Sequence, residues 1–177
     1  MKQGDRAKLV ECYLSLANQW NKKHRLFGSD ISARLSESEK ALKTWPPLAH
    51  GGVFVDVGAG AGVLGFPLLW LNPGSVCVFV ESDQKKASFL MALKTAIGVD
   101  YKERFFIAPK RLEDVSRETV LGFGFEPSGA TLFARAFSGP RSIEDSVRDS
   151  VFREAPLWVF TKKNSQYQLS QLHFLNP

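Results

Sequence analysis

The chain has 177 residues, 44% hydrophobic and 12% aromatic, and carries a net charge of +5. That composition excludes a disordered segment and provides for one domain with a sizeable core. Cys12 and Cys77, like His24, His50 and His173, are too scattered for a disulfide framework or a metal site, so none is expected. The apolar stretches fall far short of the roughly 20 residues of a membrane span. The opening MKQGDRAKLVECY lacks the apolar centre of a signal peptide. A cytoplasmic protein with no membrane partner is expected, and the charge favours a polyanionic partner such as nucleic acid.

The start of the chain reads as helical. Leu9, Tyr13, Leu16 and Trp20 recur along one face of an amphipathic helix, and both Tyr13 and Trp20 read as packing residues. A second helix starts at Ser29 or Asp30 and ends before Pro46. These helices form an N-terminal extension, 1–50, joined by the connector PPLAHGG to a core, 51–177, in one compact unit.

From Gly52 the pattern changes to short β-branched runs alternating with helices. Strands are expected at 53–57, 76–81, 104–108, 130–135 and 157–161. Helices are expected at 63–71, 83–97, near 112–121 and around Ile143, Val147 and Val151. This alternation predicts an α/β fold with a mainly parallel, Rossmann-like sheet covered on both faces. Ligands of such sheets bind outside the carboxyl ends of the strands.

At the end of the first strand stands FVDVGAGAGVLGFPL, residues 54–68, in which Asp56, Gly58, Gly60 and Gly62 form D-x-G-x-G-x-G around Ala59. Positions without side chains let the chain turn sharply and let a ligand touch the main chain. The helix amides that follow favour an anionic or acceptor group. Glu81 ends the next strand, where a carboxylate accepts from both hydroxyls of a ribose. Two cofactors compete for this constellation. Gly60, Gly62 and Gly65 formally satisfy the nicotinamide-dinucleotide fingerprint. S-adenosylmethionine is a sulfonium whose amino-acid end bears an ammonium, and it has no pyrophosphate. Asp56, two residues before the first glycine, suits that ammonium and would repel a pyrophosphate, so it favours S-adenosylmethionine. A structural turn with no ligand is the third possibility.

Several segments, in this order, resemble the 16S ribosomal RNA guanine-N7 methyltransferases (the RsmG or GidB family). YLSLANQWNKKHRLFG resembles the family's Tyr-x-x-Leu…Trp-Asn-Lys…Leu-x-Gly stretch. The glycine loop, the Gly-x-Pro after it, Glu81 and the Lys-Lys…Phe-Leu that follow fall in family register. KRLEDV, ARAF and FTKKN resemble later family motifs, so that the likeness covers roughly residues 13–164. The departures are RLFG for Asn-Leu-Thr-Gly, RLSESEKAL for the His-Leu-Leu-Asp-Ser segment, Ala134 for a serine, and a missing glycine after the fifth strand. The family's closing antiparallel pair of strands is shortened to room for about one, YQLSQLHFL.

The resemblance implies a class I fold that binds S-adenosylmethionine through Asp56, Gly58, Ala59, Gly60, Gly62 and Glu81, acting as a monomer on ribosomal RNA or the small ribosomal subunit. Methyl transfer to guanine N7 requires no general base, because N7 carries a lone pair and no proton. Positioning is then the main task. Arg135, after the fourth strand, is the candidate positioning residue, near phosphate, guanine O6 or the cofactor carboxylate. Leu112 and Glu113, with Arg111 and Asp114 beside them, fall where such folds often contact an adenine. Lys85, Lys86, Arg111 and Lys162 are candidate phosphate contacts, and Phe137 is a candidate stacking residue. Each has a plainer alternative: solvation, a surface ion pair or core packing. Other substrates, a non-catalytic binding module and a nicotinamide-dependent oxidoreductase are the competing functions.

Overall fold

The computed structural model describes residues 3–26, 30–135, 142–163 and 166–172, with the backbone alone at 3, 4, 49, 50, 162, 163 and 166. Helix α1, Gln3–His24, ends in Lys22, Lys23 and His24, which complement the helix dipole. It buries Leu9, Tyr13 and Ala17 at four-residue spacing. Helix α2, Ile31–Lys43, starts at Asp30, whose side chain accepts from the Ala33 N–H at 3.0 Å. It ends just before Trp45 and a short 3₁₀ turn, Pro46–His50. The buried Glu39 of α2 takes hydrogen bonds from Arg6 of α1 and an ion pair from Lys43 at 3.0 Å, which ties the two helices together.

Strands β1 (Gly52–Val57), β2 (Ser75–Val80), β3 (Phe105–Ala108), β4 (Ala130–Arg135), β5 (Leu157–Lys163) and β6 (Gln166–Leu172) form one sheet of order β3-β2-β1-β4-β5-β6. All neighbours are parallel except β5 and β6, which pair antiparallel. The expected strands all form, and YQLSQL supplies β6. The order reverses at β1, which has β2 on one side and β4 on the other, so the doubly wound switch point lies at its carboxyl end.

Between the strands lie α3 (Leu68–Leu71), α4 (Gln84–Ala96), α5 (Val99–Lys102), α6 (Arg117–Gly122) and α7 (Ile143–Arg148). The expected helix over 63–71 shrinks to α3, and residues 60–67 are turns. Gly62 has a left-handed backbone, φ +68°, and the Gly65 N–H bonds to Asp56 instead of to a carbonyl one turn back. Pro67 has no N–H to offer. The expected segment near 112–121 divides into a 3₁₀ turn, Leu112–Asp114, and α6.

Side-chain alternation divides the core in two. Phe54, Cys77, Phe79, Phe105, Phe133 and Phe160 point to one face, where they pack with Tyr13, Leu35, Trp45, Phe66 and Phe89. Val55, Val57, Val78, Val80, Leu132, Ala134, Leu157 and Val159 point to the other, against Val120 of α6 and Val147 of α7. Residues of α1 and α2 therefore share one continuous apolar cluster with the sheet. Among the described residues, no helix is long and apolar enough to cross a membrane.

Candidate functional site

Parallel pairing in register places Asp56 level with Phe79 and Phe133, on the aromatic face of the sheet. Glu81 and Arg135 follow those two phenylalanines by two positions, so each continues the same face from a strand beside β1. Three ionisable side chains thus gather around the end of β1 because of strand parity alone.

The turn after β1 is shaped by Gly58, Gly60 and Gly62, with φ of +64°, +60° and +68°. The amides of Ala59, Gly60 and Gly62 are satisfied from within the chain. The Ala59 N–H donates to the Val80 carbonyl at 3.1 Å, and the Gly62 N–H to the Ala59 carbonyl at 2.8 Å. The Gly60 N–H donates to Glu81 Oε2 at 2.6 Å, while Glu81 Oε1 accepts from the Asp83 N–H at 2.8 Å. Each Glu81 oxygen keeps acceptor capacity for a further hydroxyl. Of the amides that follow the glycines, those of Gly65 and Phe66 are bonded to Asp56 and to the Gly62 carbonyl.

Asp56 lies beneath the turn, 2% exposed, accepting from the Gly65 N–H at 3.0 Å. Burial, the largest influence, pushes its carboxyl from an ordinary 3.8 up to about 7. The charge of Arg135 and the Gly65 N–H oppose that rise, and the charge of Glu81 adds to it. Gly65 itself has no room for a side chain. A Cβ there would meet Asp56 Oδ2 and Phe79 Cε1 at 2.8 Å and Cys77 Sγ at 2.9 Å.

Helix α1 reaches the same turn. Tyr13 is fully buried, stacks on Phe66 at 4.7 Å and donates its hydroxyl to the Ala61 carbonyl at 2.9 Å. Its burial raises the phenol well above the usual range. Trp20 packs edge-on against Phe89 at 5.9 Å, as its place on the helix face suggested. Sequence reasoning left Tyr13 as a packing residue only, although its place in the resembling segment was a signal that it does more.

A cavity of ≈ 160 Å³ opens over the turn. Leu26, Ile31, Ala61 and Val63 form its apolar wall, and Gly60, which has no side chain, presents main chain to it. Arg34, Lys86 and Arg135 bring three cations, and Arg34 was not among the sequence candidates. Gly58, Ala59 and Gly62 shape the turn, Glu81 latches it, and Asp56 lies below it.

The remaining candidates scatter. Lys85 and Arg111 are exposed, and Leu112 is buried in the turn after β3. Glu113 lines a second cavity of ≈ 490 Å³, with Arg117, Glu126, Asp149 and Arg153, in a different place from the glycine turn. Phe137 lies outside the described residues, as does the side chain of Lys162. Among the described residues, no group of His, Cys, Asp and Glu is placed to hold a metal.

A family model described as rRNA small subunit methyltransferase G matches residues 6–172 of this chain. The ribosomal RNA small subunit methyltransferase G of Nitrosospira multiformis is 33% identical over 141 residues, 77% of this chain and 58% of that protein. The protein of the same name from Legionella pneumophila is 29% identical over 153 residues, 85% of this chain and 67% of that one. The chain thus spans between about half and two thirds of the length of these curated relatives. Among solved structures, the mitomycin 7-O-methyltransferase superposes with a TM-score of 0.53 at 19% identity, over 73% of this chain and 36% of that one. That likeness shows the fold, a Rossmann-like methyltransferase architecture.

Proposed function

This chain belongs to the rRNA small subunit methyltransferase G family, and from that premise we propose that it transfers a methyl group from S-adenosylmethionine to guanine N7 in small-subunit ribosomal RNA. It would do so as a cytoplasmic, monomeric enzyme. The extension, 1–50, and the core, 51–177, act as one unit, with α1 bracing the cofactor turn. The observation that carries this reading is the turn itself, three left-handed glycines latched by the carboxylate of Glu81.

The residues fit the cofactor. A Cβ at Gly60 would meet only Arg135 Nη2, at 3.8 Å, so the turn offers bare main chain on that side. Glu81 offers acceptors for ribose hydroxyls, and the buried Asp56, when ionised, would complement the ammonium of the ligand's amino-acid end. When bound, S-adenosylmethionine supplies an electrophilic methyl on a sulfonium. The chain's own task is to align the attacking N7 and keep water out, and Arg135 at the cavity edge would orient the incoming nucleotide.

Calorimetry with S-adenosylmethionine, its demethylated product and NAD tests the cofactor. Binding of the first two and not of NAD is expected. Transfer of labelled methyl to purified small-subunit ribosomal RNA tests the reaction, and uptake without transfer would make this a binding protein. In Glu81→Gln an amide replaces one of the oxygens that accept a main-chain N–H. The change is expected to weaken cofactor binding by about 100-fold, on the order of 2–3 kcal/mol. Unaltered affinity would detach Glu81 from the ligand.

A further inference from the structure

The cavity over the glycine turn is lined by cations from three separate elements: Arg34 in α2, Lys86 in α4 and Arg135 at the end of β4. Among the described residues no carboxylate lines it. Of the acids nearby, Asp56 accepts from the Gly65 N–H, Glu81 from the Gly60 and Asp83 N–H groups, and Asp83 stands 3.9 Å from Lys86 Nζ as a partly exposed ion pair. At ≈ 160 Å³ the space is smaller than the roughly 300 Å³ at which pockets begin to take drug-sized ligands, so it suits a compact group and not a whole nucleoside. Two guanidiniums, with a lysine shared with Asp83, beside a small, partly apolar cup are matched by a tetrahedral or planar anion.

We propose that Arg34 is a substrate-positioning residue that, with Lys86 and Arg135, seats a backbone phosphate of the RNA in this cavity. The inference rests on the functional reading above and deepens it. A guanidinium suits this task because its fork of N–H groups binds two phosphate oxygens at once. Arg34 stands one turn into α2, and Ile31 of the same turn lines the cavity beside it. The packing that fixes Ile31 and Leu35 in the core therefore also fixes where Arg34 leaves the helix. A phosphate held there would set the distance between the strand being read and the turn that holds the methyl donor.

The test compares wild type with Arg34→Gln and Arg34→Lys, using Arg153→Gln, in the second cavity, as a control for charge alone. Binding of purified small-subunit ribosomal RNA is measured across salt concentrations without cofactor, and S-adenosylmethionine binding is measured separately by calorimetry. R34Q is expected to weaken RNA binding about 5- to 10-fold and to reduce the log–log salt slope by about one. R34K is expected to restore the slope. All three variants should bind S-adenosylmethionine within about twofold of wild type. Loss of cofactor affinity in R34Q with RNA binding intact would assign the cation to the cofactor's carboxylate and overturn the proposal. An unchanged slope in R34Q, a slope that R34K fails to restore, an equal loss in R153Q, or no RNA binding by wild type would overturn it too. If wild type takes up no S-adenosylmethionine, the functional reading falls, while the RNA arm still decides the role of Arg34.

Discussion

The inward positions on one face of the sheet are aromatic, with Phe54, Phe79, Phe105, Phe133 and Phe160 meeting Tyr13, Trp45, Phe66 and Phe89. The inward positions on the other are Val55, Val57, Val78, Val80, Leu132, Ala134 and Val159. The first face supports α1, α2 and α4, and large rings span that depth while adding ring–ring contacts. Tyr13 on Phe66 and Phe79 on Phe105, at 4.7 and 4.3 Å, are the closest of these stacks. The second face carries the shorter α6 and α7. The faces differ again at the carboxyl ends of the strands. The aliphatic face stays apolar to Val57, Val80 and Ala134, whereas the aromatic face closes with Asp56, Glu81 and Arg135. On one side these strand ends stay apolar. The other joins the densest packing to the charges, so ligand binding and stability are coupled there.

The sharpest way to break that contrast is to add one methyl group on each side. Gly65→Ala would drive Cβ to 2.8–2.9 Å from Asp56, Phe79 and Cys77, all buried and packed. We expect a loss of about 3 kcal/mol or more, with cofactor binding lost as the turn shifts. Gly122→Ala, at the end of α6 on the aliphatic side, meets nothing within 4 Å and has no positive φ. It should be neutral or stabilising by up to about 1 kcal/mol. Urea denaturation of both variants decides the matter, and equal effects would erase the distinction between the faces.

A second test uses pH. The Asp56 carboxyl titrates at about 7 in the folded protein against an ordinary 3.8. A raised folded value means that the native state holds the proton more tightly. The stability this contributes is fully present below the ordinary value and lost as pH rises through about 7. Relative to Asp56→Asn, wild type should therefore be most stable near pH 4, weaken by at most about 1.4 kcal/mol per pH unit, and level off above pH 8. A difference between the two proteins that stays flat from pH 4 to 8 would show a carboxyl ionised throughout.

The parts of this arrangement that were legible in the sequence follow from local rules. Each strand forms where β-branched and aromatic residues cluster, and the step of two from Phe79 to Glu81 and from Phe133 to Arg135 is visible in the letters. The glycine turn was legible because Gly58, Gly60 and Gly62 supply backbone conformations that other residues resist. The helix over 63–71 was misread because its apolar pattern is shared by a buried run of turns. What overrides helix formation there is the pull of Asp56 on the Gly65 N–H, a contact between residues that periodicity treats as independent. Arg34 was illegible for a different reason. Its segment departs from the family pattern, and only the packing of α2 against the sheet brings it over the turn. Glu113 lines the second cavity, a placement the letters do not give, since position after a strand does not fix which way a short 3₁₀ turn presents its side chains.

The smallest expected effect tests whether α1 belongs to the site or only to the core. Tyr13→Phe keeps the ring against Phe66 and Phe89 and removes one hydroxyl, so packing is preserved while the Ala61 carbonyl loses its donor. Ala61 is 5% exposed, and water is poorly placed to replace that donor. A loss of about 1–2 kcal/mol in stability follows from an unsatisfied buried acceptor. If the hydroxyl also fixes the turn's conformation, S-adenosylmethionine affinity falls several-fold beyond what a uniform loss of stability would produce, because a folded protein at 25 °C remains overwhelmingly native after losing so little. The hydroxyl would then be a brace on the binding loop. Lowered stability with unchanged affinity would return Tyr13 to the core, and the aromatic face would be coupled to the site only through Asp56 and Gly65.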